Sequence, residues 1–435
     1  MRSLRGVQEQ RPACLRSSCS RSGAASTSTS RSSGCVEVME PAQPLRVLMV
    51  VEKLHGLGGA QQQALRLARA LRAHGIEPRI VTGRWRWSEP RRTVLDGIPV
   101  LALFTAFKGL HVKGMRKLGV LVYLLSLFLH LWLERKRYDV LHVHSATVSA
   151  FAVAILGRWL RKPTVMKVMA SGGWSDLKRM VEGGEAPGSA RMARRFLLID
   201  RVVCLNAEAE AECRAFGFPP ERCFRAPNGF PASDVTPRGS YASKGRTTVT
   251  YAGRLDPQKD LRALLEAAAL AAPALGEEGL GVRILGDGPQ RAELERLARD
   301  LGLERRVTFH GRVDDVGAHL AATDIFVLPS LSEGVSNALL EAMAHGLPCV
   351  ATSIPGNTDL ICDRECGLLV PPGDAKAMAR AIVELARDAG LRERLGREAR
   401  RQVEERFDIQ SVASKYAALY RELTRQAEAE PVAST

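Results

Sequence analysis

The sequence predicts an α/β protein in which two doubly wound domains follow one another along the chain. Short apolar runs alternate with helical patterns from residue 45 onward, which is typical of a parallel sheet covered by helices on both sides. Residues 226–246 interrupt this alternation with Pro, Gly and Ser, and it then starts again. The length of 435 residues also exceeds one ordinary domain. In such a fold a ligand cleft lies at the carboxyl ends of the strands.

The first predicted domain covers residues 45–225. Its first strand, 46-RVLMVVE-52, has no polar alternation, as expected of a strand buried on both faces. A glycine-rich turn with Gly58 and Gly59 then leads into a helix over residues 60–75. Further strands are predicted at residues 78–83, 98–103, 140–145, 164–170 and 202–206.

The second predicted domain covers residues 247–408, after a linker over 226–246. Its strands are predicted at residues 248–254, 282–288, 307–312, 325–330, 348–352 and 367–372. Residues 409–435 form a C-terminal helix and tail, in which the helical pattern spans about residues 410–428.

The composition excludes some classes of partner. The net charge of +15 suits a phosphate-bearing substrate, an anionic membrane surface or simply a soluble surface rich in Arg. Only 5% of residues are aromatic, and they are not interleaved with basic residues, which disfavours nucleic acid. The nine cysteines, including Cys362 and Cys366, have no spacing typical of a metal site, which favours free thiols in a reducing cytosol.

Residues 1–44 differ from the rest because they are rich in Ser and Arg and lack apolar periodicity. This composition predicts a disordered N-terminal extension. It has no apolar core of a secretory signal. A transit peptide and a start codon placed too early both remain open, and we favour the second, with Met39 as the start.

Residues 118–133 form an uncharged apolar stretch followed by 134-ERKR-137. Three interpretations remain open: a buried core helix, a helix whose apolar side meets the bilayer, and a membrane span, for which the stretch is short. In the second case the flanking cations would contact anionic headgroups. The cations before the stretch are Lys108, Lys113, Arg116 and Lys117.

Charged residues cluster where predicted strands end. Arg254 and Lys259 are separated by a turn with Asp256 and Pro257, and a guanidinium with an ammonium suits a pyrophosphate. The alternative is a turn whose cations are only solvated.

Glu333 and Glu341 flank a predicted helix start in 333-EGVSNALLE-341, with no Lys or Arg three or four residues away. The first amides of that helix, from Gly334 to Asn337, are predicted to be free donors for an anion. The two carboxylates would repel phosphate, so we expect them to bind hydroxyl groups. A sugar nucleotide offers hydroxyls on both sides of a diphosphate; the alternative is two acids that only decorate the helix.

Two histidines, His142 and His144, lie on one strand and should share a face. His144 is nearer the strand end and is the better candidate to reach the cleft. A core histidine and a two-histidine metal site are the alternatives.

Several of these segments together resemble the retaining family 4 glycosyltransferases of GT-B fold. The resemblance extends over residues 46–425. It rests on 333-EGVSNALLE-341, 252-AGRLDPQKDL-261, 285-LGDGP-289, 227-PNG-229 and 367-GLLVPPGD-374. It implies two Rossmann-like domains facing across a cleft, with the C-terminal helix crossing back to the first domain.

The resemblance also implies roles for individual residues. Glu341 corresponds to the carboxylate that holds the ribose hydroxyls, and Glu333 to the one set against the donor sugar. Arg254 and Lys259 correspond to the pair that neutralises the leaving diphosphate, and His144 to a histidine near the donor sugar. The other implied donor-binding positions are Gly58, Gly59, Gly286, Arg312, Val313, Gly334, Val335, Ser336 and Asn337.

The segment 167-KVMASGGWSDL-177 departs from the family pattern, since it lacks the histidine that many members carry there. Lys167, Gly172 and Gly173 are expected to line the acceptor side. Asn206 stands where a serine is more usual and is assigned to the same side.

The resemblance therefore implies a retaining glycosyltransferase that needs no divalent metal and no cofactor besides its nucleotide-sugar co-substrate. Its acceptor would be a saccharide or a polyprenyl-linked saccharide in cell-surface polysaccharide or glycoconjugate assembly. We expect the protein to be cytoplasmic and peripheral on the inner membrane, in contact with anionic lipid. A catalytically silent GT-B scaffold and a nucleotide-sugar epimerase are the alternatives.

Overall fold

The structure is a computed structural model that describes residues 43–54, 58–84, 88–105, 115–182, 188–242, 245–276 and 278–429. The described residues from Pro44 to Ala429 form one compact unit. Nearly all of the predicted N-terminal extension, with the proposed start at Met39, lies outside the described residues, as do Lys108 and Lys113.

The first sheet has eight strands in the order β3-β4-β2-β1-β5-β6-β7-β8. They are β1 Leu45–Val51, β2 Ile76–Arg84, β3 Arg92–Leu95, β4 Ile98–Phe104, β5 Val140–Val143, β6 Thr164–Val168, β7 Arg201–Cys204 and β8 Cys223–Arg225. The helices between them are α1 Gly59–Arg72, α2 Met115–Leu133, α3 Val148–Leu160, α4 Asp176–Val181, α5 Ser189–Ala193 and α6 Ala207–Phe216.

The second sheet has six strands in the order β11-β10-β9-β12-β13-β14, and all its pairs are parallel. They are β9 Thr247–Ala252, β10 Leu280–Leu285, β11 Val307–Gly311, β12 Ile325–Leu328, β13 Cys349–Thr352 and β14 Leu368–Val370. The helices are α7 Leu261–Leu275, α8 Arg291–Asp300, α9 Val316–Ala321, α10 Asn337–Ala344, α11 Pro355–Thr358, α12 Ala375–Arg387, α13 Ala389–Arg406 and α14 Ile409–Ala429.

One strand pair at the edge of the first sheet departs from the parallel arrangement. Strand β3 pairs antiparallel with β4 through Leu95 and Ile98, joined by the two-residue turn Asp96-Gly97. Both turn residues have positive φ, 51° and 77°, as a tight hairpin turn requires. The Asp-Gly pair between two apolar segments is therefore a sequence signal for a β-hairpin. The signal was missed because the surrounding alternation of strands and helices is typical of a parallel sheet.

The C-terminal helix α14 packs on the first sheet, which confirms the predicted return crossing. Eight of its residues are buried, and they belong to the core cluster of β1, β2 and α1. The chain passes between the two halves at two adjacent places, because Phe230 N–H donates to the carbonyl of Phe407 at 2.9 Å and Ile409 N–H donates to the carbonyl of Phe230 at 3.2 Å.

Helix α2 has one buried and one exposed apolar face. Tyr123, Leu124, Leu127 and Leu131 lie in the core of the first sheet. The opposite face exposes a stripe at helical spacing: Leu118, Leu121, Leu125, Leu129, Trp132 and Leu133. The core-helix interpretation thus explains one face only. Among the helices that the structure describes, none has the length and apolarity to cross a membrane.

Candidate active site

The loop between β12 and α10 carries a buried ion pair. Glu333 is only 8% exposed. Its Oε1 lies 2.6 Å from Lys259 Nζ and accepts a hydrogen bond from Ser330 Oγ at 2.7 Å. These contacts fix the carboxylate in one orientation, with Oε2 still available for a ligand hydroxyl.

The turn that carries Lys259 is registered on the same loop. Leu331 N–H donates to the carbonyl of Gln258 at 2.8 Å, and Gln258 Nε2 donates to the carbonyl of Ser332 at 2.8 Å. Arg254 behaves differently, since its side chain is 72% exposed and its nearest ionic partner is Asp256 at 3.6 Å. The structure therefore joins Lys259 to Glu333 and leaves Arg254 extended toward solvent.

Helix α10 begins with unused backbone donors. Ser336 caps it by accepting from Leu339 N–H at 3.4 Å. Within the described residues, the amides of Gly334, Val335, Ser336 and Asn337 have no hydrogen-bond partner. Free donors at a helix start attract anions.

The start of α1 faces the start of α10. A Cβ built on Gly59 would lie 2.9 Å from Asn337 Nδ2. Further along α1, Arg66 Nη2 lies 3.3 Å from Glu341 Oε2, and the two side chains are 22% and 16% exposed. Glu341 thus has a cationic partner that is distant in sequence. One of its oxygens remains for other contacts.

The two halves touch closely at Gly334. A Cβ at this position would lie 2.4 Å from the carbonyl oxygen of Met169 in the first half. Ser332 Oγ donates to the carbonyl of Ser171 at 3.1 Å, again across the halves. Only glycine permits this approach of one backbone to another.

The two histidines are buried side by side, with ring centroids 4.1 Å apart. Tyr420 OH and His142 Nδ1 are 2.7 Å apart, whereas in the described chain His144 Nε2 has no partner. Burial, with a smaller contribution from Lys167, lowers the pKa of both rings well below the usual value. His144 is therefore neutral at neutral pH, so its ring can donate a hydrogen bond to a hydroxyl or accept one from it. In the described residues no group of acidic, histidine or cysteine side chains is arranged to hold a metal ion.

Lys167 and Asn206 do not line an open acceptor surface. Lys167 is 1% exposed, and its Nζ donates to Asn228 Oδ1 at 2.9 Å. Asn206 is fully buried, and its Nδ2 donates to the carbonyl of Gly334 at 2.7 Å. Both side chains are directed into the junction between the halves because their strands end there.

The buried ammonium of Lys167 predicts a pH-dependent stability. Burial lowers the pKa of Lys167 from 10.5 to about 7, beside His142, His144 and Tyr416. Between these two pH values the unfolded chain binds a proton that the folded chain does not, so the free energy of unfolding contributed by Lys167 rises with pH. Lys167→Met removes this rise, and thermal unfolding from pH 7 to pH 10 measures it.

The melting temperature of Lys167→Met minus that of the wild type should be greatest near pH 7. This difference should fall toward pH 10, because only the wild type gains stability as the pH rises. Lys376→Met, at an exposed lysine on α12, is the control and follows the wild type at every pH. A difference between Lys167→Met and the wild type that stays constant over this range would contradict a lowered pKa.

The remaining predicted positions lie at strand ends. Gly172, with a φ of 69°, donates its N–H to Glu212 Oε1 at 2.8 Å, and Gly173 has open space around it. Gly286, with a φ of 130°, lies against the backbone of Gly253. Arg312 is exposed and Val313 is half-buried, both just after β11.

Comparison with known families accounts for both halves. The profile described as Glycosyl transferases group 1 matches residues 246–388, and the one described as Glycosyl transferase 4-like domain matches residues 58–229. The chain belongs to the group 1 glycosyltransferases. The matched segments contain both ion pairs that join Glu333 to Lys259 and Glu341 to Arg66.

The relatives of this glycosyltransferase differ in their sequence identity and in the fraction of each chain that aligns. The phosphatidyl-myo-inositol mannosyltransferase of Mycobacterium leprae is 29% identical over 83% of this chain and 92% of its own. The lipopolysaccharide core biosynthesis glycosyltransferase LpsE of Rhizobium meliloti is 37% identical, over 38% of this chain and 47% of its own. The chain thus spans less than half the length of that relative.

Solved structures confirm the GT-B fold of the glycosyltransferase. Sucrose-phosphate synthase from Thermosynechococcus elongatus superposes with a TM-score of 0.74 at 22% identity, over 88% of this chain and all of the other. WaaG, a glycosyltransferase involved in lipopolysaccharide biosynthesis, superposes with a TM-score of 0.65 at 19% identity, over 86% and 99%.

Sequence reasoning missed three residues at the site of this glycosyltransferase. Arg66 is one of three cations on α1, and nothing in its spacing pointed to Glu341. Asn228 stands in the segment 227-PNG-229, which contributed to the family resemblance but was assigned no role. Ser330 is the last residue before the loop. The segment 227-PNG-229 at the junction between the domains was the one usable sequence signal.

Proposed function

We propose that this chain transfers a sugar from a nucleotide-diphosphate sugar to a saccharide or lipid-linked acceptor, with retention of anomeric configuration. The observation that carries the proposal is the Lys259–Glu333 pair at 2.6 Å beside the free amides of α10. A cation and helix amides suit a diphosphate, while the adjacent carboxylate suits sugar hydroxyls. A sugar nucleotide has both groups next to each other.

The donor would lie between the starts of α1 and α10. Lys259 and the exposed Arg254 would neutralise the diphosphate, helped by the amides of the segments Gly58–Gly59 and Gly334–Asn337. Glu341 would accept hydrogen bonds from the ribose, and the backbone at Arg312, Val313 and Gly286 would border the base. The neutral His144 would bind a hydroxyl of the transferred sugar.

Charge placement gives the mechanism. As the bond from the anomeric carbon to phosphate breaks, positive charge grows on the sugar, next to Glu333, and negative charge grows on the diphosphate, next to Lys259. The acceptor oxygen would bond to the anomeric carbon from the face that the diphosphate leaves, while the departing phosphate oxygen takes the acceptor proton, so the configuration is retained. Donors already in place for the developing charge lower the barrier without any reorganisation. Because these cations and amides belong to the chain, the proposed mechanism uses no divalent metal.

The acceptor proposal rests on relatives and on one surface. One relative, from Escherichia coli and 28% identical over 66% of this chain and 76% of its own, is a galactosyltransferase acting on a diphosphoundecaprenol-linked sugar. The exposed stripe of α2 is followed by Arg135, Lys136 and Arg137, of which Lys136 and Arg137 are exposed. Apolar side chains beside cations suit the surface of an anionic bilayer. We therefore place the protein at the cytoplasmic face of a membrane, in the assembly of a surface glycoconjugate.

A panel of UDP-, GDP- and ADP-sugars tests the proposed activity. We expect one donor to be hydrolysed slowly by the wild type and its nucleoside diphosphate to raise the melting temperature by mass action. Glu333→Gln keeps the shape of the side chain and removes the charge, so it should slow hydrolysis. If no donor is hydrolysed and no nucleoside diphosphate binds, a catalytically silent scaffold is the better description.

Membrane contact has its own test. We expect the wild type to sediment with vesicles rich in phosphatidylglycerol at low salt. The double variant Leu125→Glu and Leu129→Glu should bind at least about tenfold more weakly, because burying one leucine contributes about 1.5–3 kcal/mol.

Leu270→Glu is the matched control for the vesicle experiment, since Leu270 is 51% exposed on α7 of the other half. It should sediment like the wild type. Equal sedimentation of the double variant and the wild type would remove α2 from the contact surface.

A further inference from the structure

Asn228 connects a buried lysine of the first sheet to the start of α10. Its Oδ1 accepts from Lys167 Nζ at 2.9 Å, and its Nδ2 donates to Asn337 Oδ1 at 3.0 Å and to the carbonyl of Val335 at 3.2 Å. Asn228 is 1% exposed, so water does not compete for these bonds. The carbonyl of Val335 can only accept, so it determines which end of the Asn228 amide faces α10 and leaves Oδ1 for Lys167.

The orientation of the Asn228 amide in turn fixes the orientation of the Asn337 side-chain amide. With Oδ1 of Asn228 turned to Lys167, its Nδ2 faces Asn337 and can only meet an acceptor there. Asn337 must then present Oδ1 to Asn228, which turns its own Nδ2 the other way. That nitrogen lies at the start of α1, 2.9 Å from the position of a Cβ on Gly59.

Asn337 Nδ2 consequently lies where both helix starts converge. Among the described residues it has no hydrogen-bond partner. The free amides of α10 begin at the same residue, and Gly58 and Gly59 approach from the other side. An amide nitrogen held there is a donor directed at the space between the two helices.

We propose that Asn228 is a positioning residue that, through Lys167, directs the Asn337 side-chain amide at the diphosphate of the donor. This inference rests on the proposed function and adds a residue that lies outside the segments carrying Lys259 and Glu333. It predicts that binding of the donor diphosphate by Asn337, in the C-terminal half, depends on the Asn228 side chain. That side chain is held by Lys167 of the N-terminal half. Asn228 itself does not touch the ligand.

Asn228→Asp tests this role. Aspartate keeps an acceptor for Lys167 but loses the donor, so Asn337 turns its amide group and offers Nδ2 to the introduced carboxylate. The donor then leaves the diphosphate site. We expect the affinity ratio of nucleoside diphosphate to nucleoside monophosphate to fall about tenfold to a hundredfold, because a hydrogen bond to a charged group contributes about 1.5–3 kcal/mol.

Calorimetric titration of the full chain with UDP, GDP and ADP and with the corresponding monophosphates measures this ratio. Asn337→Asp should lower the ratio at least as much as Asn228→Asp does. Tyr241→Phe is the matched structural control, because it removes a buried bond from Tyr241 OH to the carbonyl of Gly346, just after the C-terminal end of α10 and away from Asn337. It should lower the melting temperature and leave the ratio unchanged.

The outcomes separate the inference from the proposed function. If the wild type binds none of the diphosphates, the proposed function fails. If the wild type binds one of them and Asn228→Asp keeps the wild-type ratio, the positioning role fails while the proposed function stands. A ratio that falls equally in Tyr241→Phe would also overturn the role, because any disturbance of α10 would then produce the effect.

Discussion

Lys259→Met should reduce turnover roughly 10²–10³-fold while donor binding changes much less. Such losses are typical when one preorganised donor to a developing negative charge is removed. The ammonium lies 2.6 Å from Glu333 in a loop where the two side chains are only 18% and 9% exposed. It can therefore stabilise a leaving diphosphate and orient the carboxylate without rearranging. Steady-state kinetics with the donor selected by the panel measure the change.

Folding must be separated from catalysis in this variant, because Lys259→Met leaves a buried carboxylate without its cation. The double variant Lys259→Met with Glu333→Gln removes that charge and should recover the melting temperature but not turnover. Arg262→Met is the control, since Arg262 is 56% exposed and pairs only with surface glutamates among the described residues. If Lys259→Met keeps wild-type turnover, Lys259 has no role in leaving-group stabilisation.

Glu341→Ala should weaken binding of the nucleoside diphosphate about tenfold to a hundredfold. The carboxylate would accept hydrogen bonds from the ribose, and bonds to a charged group contribute about 1.5–3 kcal/mol. Turnover at saturating donor should change less, because the ribose is bound equally in the ground state and the transition state. Titration calorimetry and the ratio of kcat to KM together measure the effect.

The variant Arg66→Met tests whether Arg66, in the first half, orients the Glu341 carboxylate for ribose binding. Because the pair at 3.3 Å occupies Oε2 only, we expect Arg66 to orient the carboxylate and its loss to weaken binding about threefold. Arg69→Met lies on the same helix and is the matched control, since Arg69 is 66% exposed and 4.0 Å from Asp234. Tighter binding by Arg66→Met would instead mean that Arg66 competes with the nucleotide for Glu341.

Much of the fold follows from local patterns. Strands buried on both faces are apolar without alternation, so β1, β9 and β12 could be predicted directly from residues such as Val47, Val249 and Ile325. Strand β3 was missed although Asp96-Gly97 signals a hairpin, because its four residues are too few to show a clear period. The three-residue strand β8 is too short to show a period.

The candidate site could be predicted only in part. Glu333, Lys259 and the amides of α10 are recognisable because each stands at a strand end or a helix start, where parallel sheets place ligands. Arg66, Asn206 and Asn228 contact α10 or the loop before it from 275, 128 and 109 residues away in sequence, and no local pattern encodes such partners. Lys167 and Asn206 were assigned to the acceptor side from the family resemblance, which indicates where a residue stands along the chain and not which neighbours bury its side chain.

The return of α14 to the first sheet has a consequence for how the protein assembles. Tyr416 and Tyr420 are made after all the strands of both sheets, yet they complete the core against β5 and α1. The half that emerges first from the ribosome must therefore wait, with an apolar flank uncovered, until α14 has been synthesised and released. For the same reason a nick between the halves would leave two fragments that stay together, since each contains a part of the other's interior.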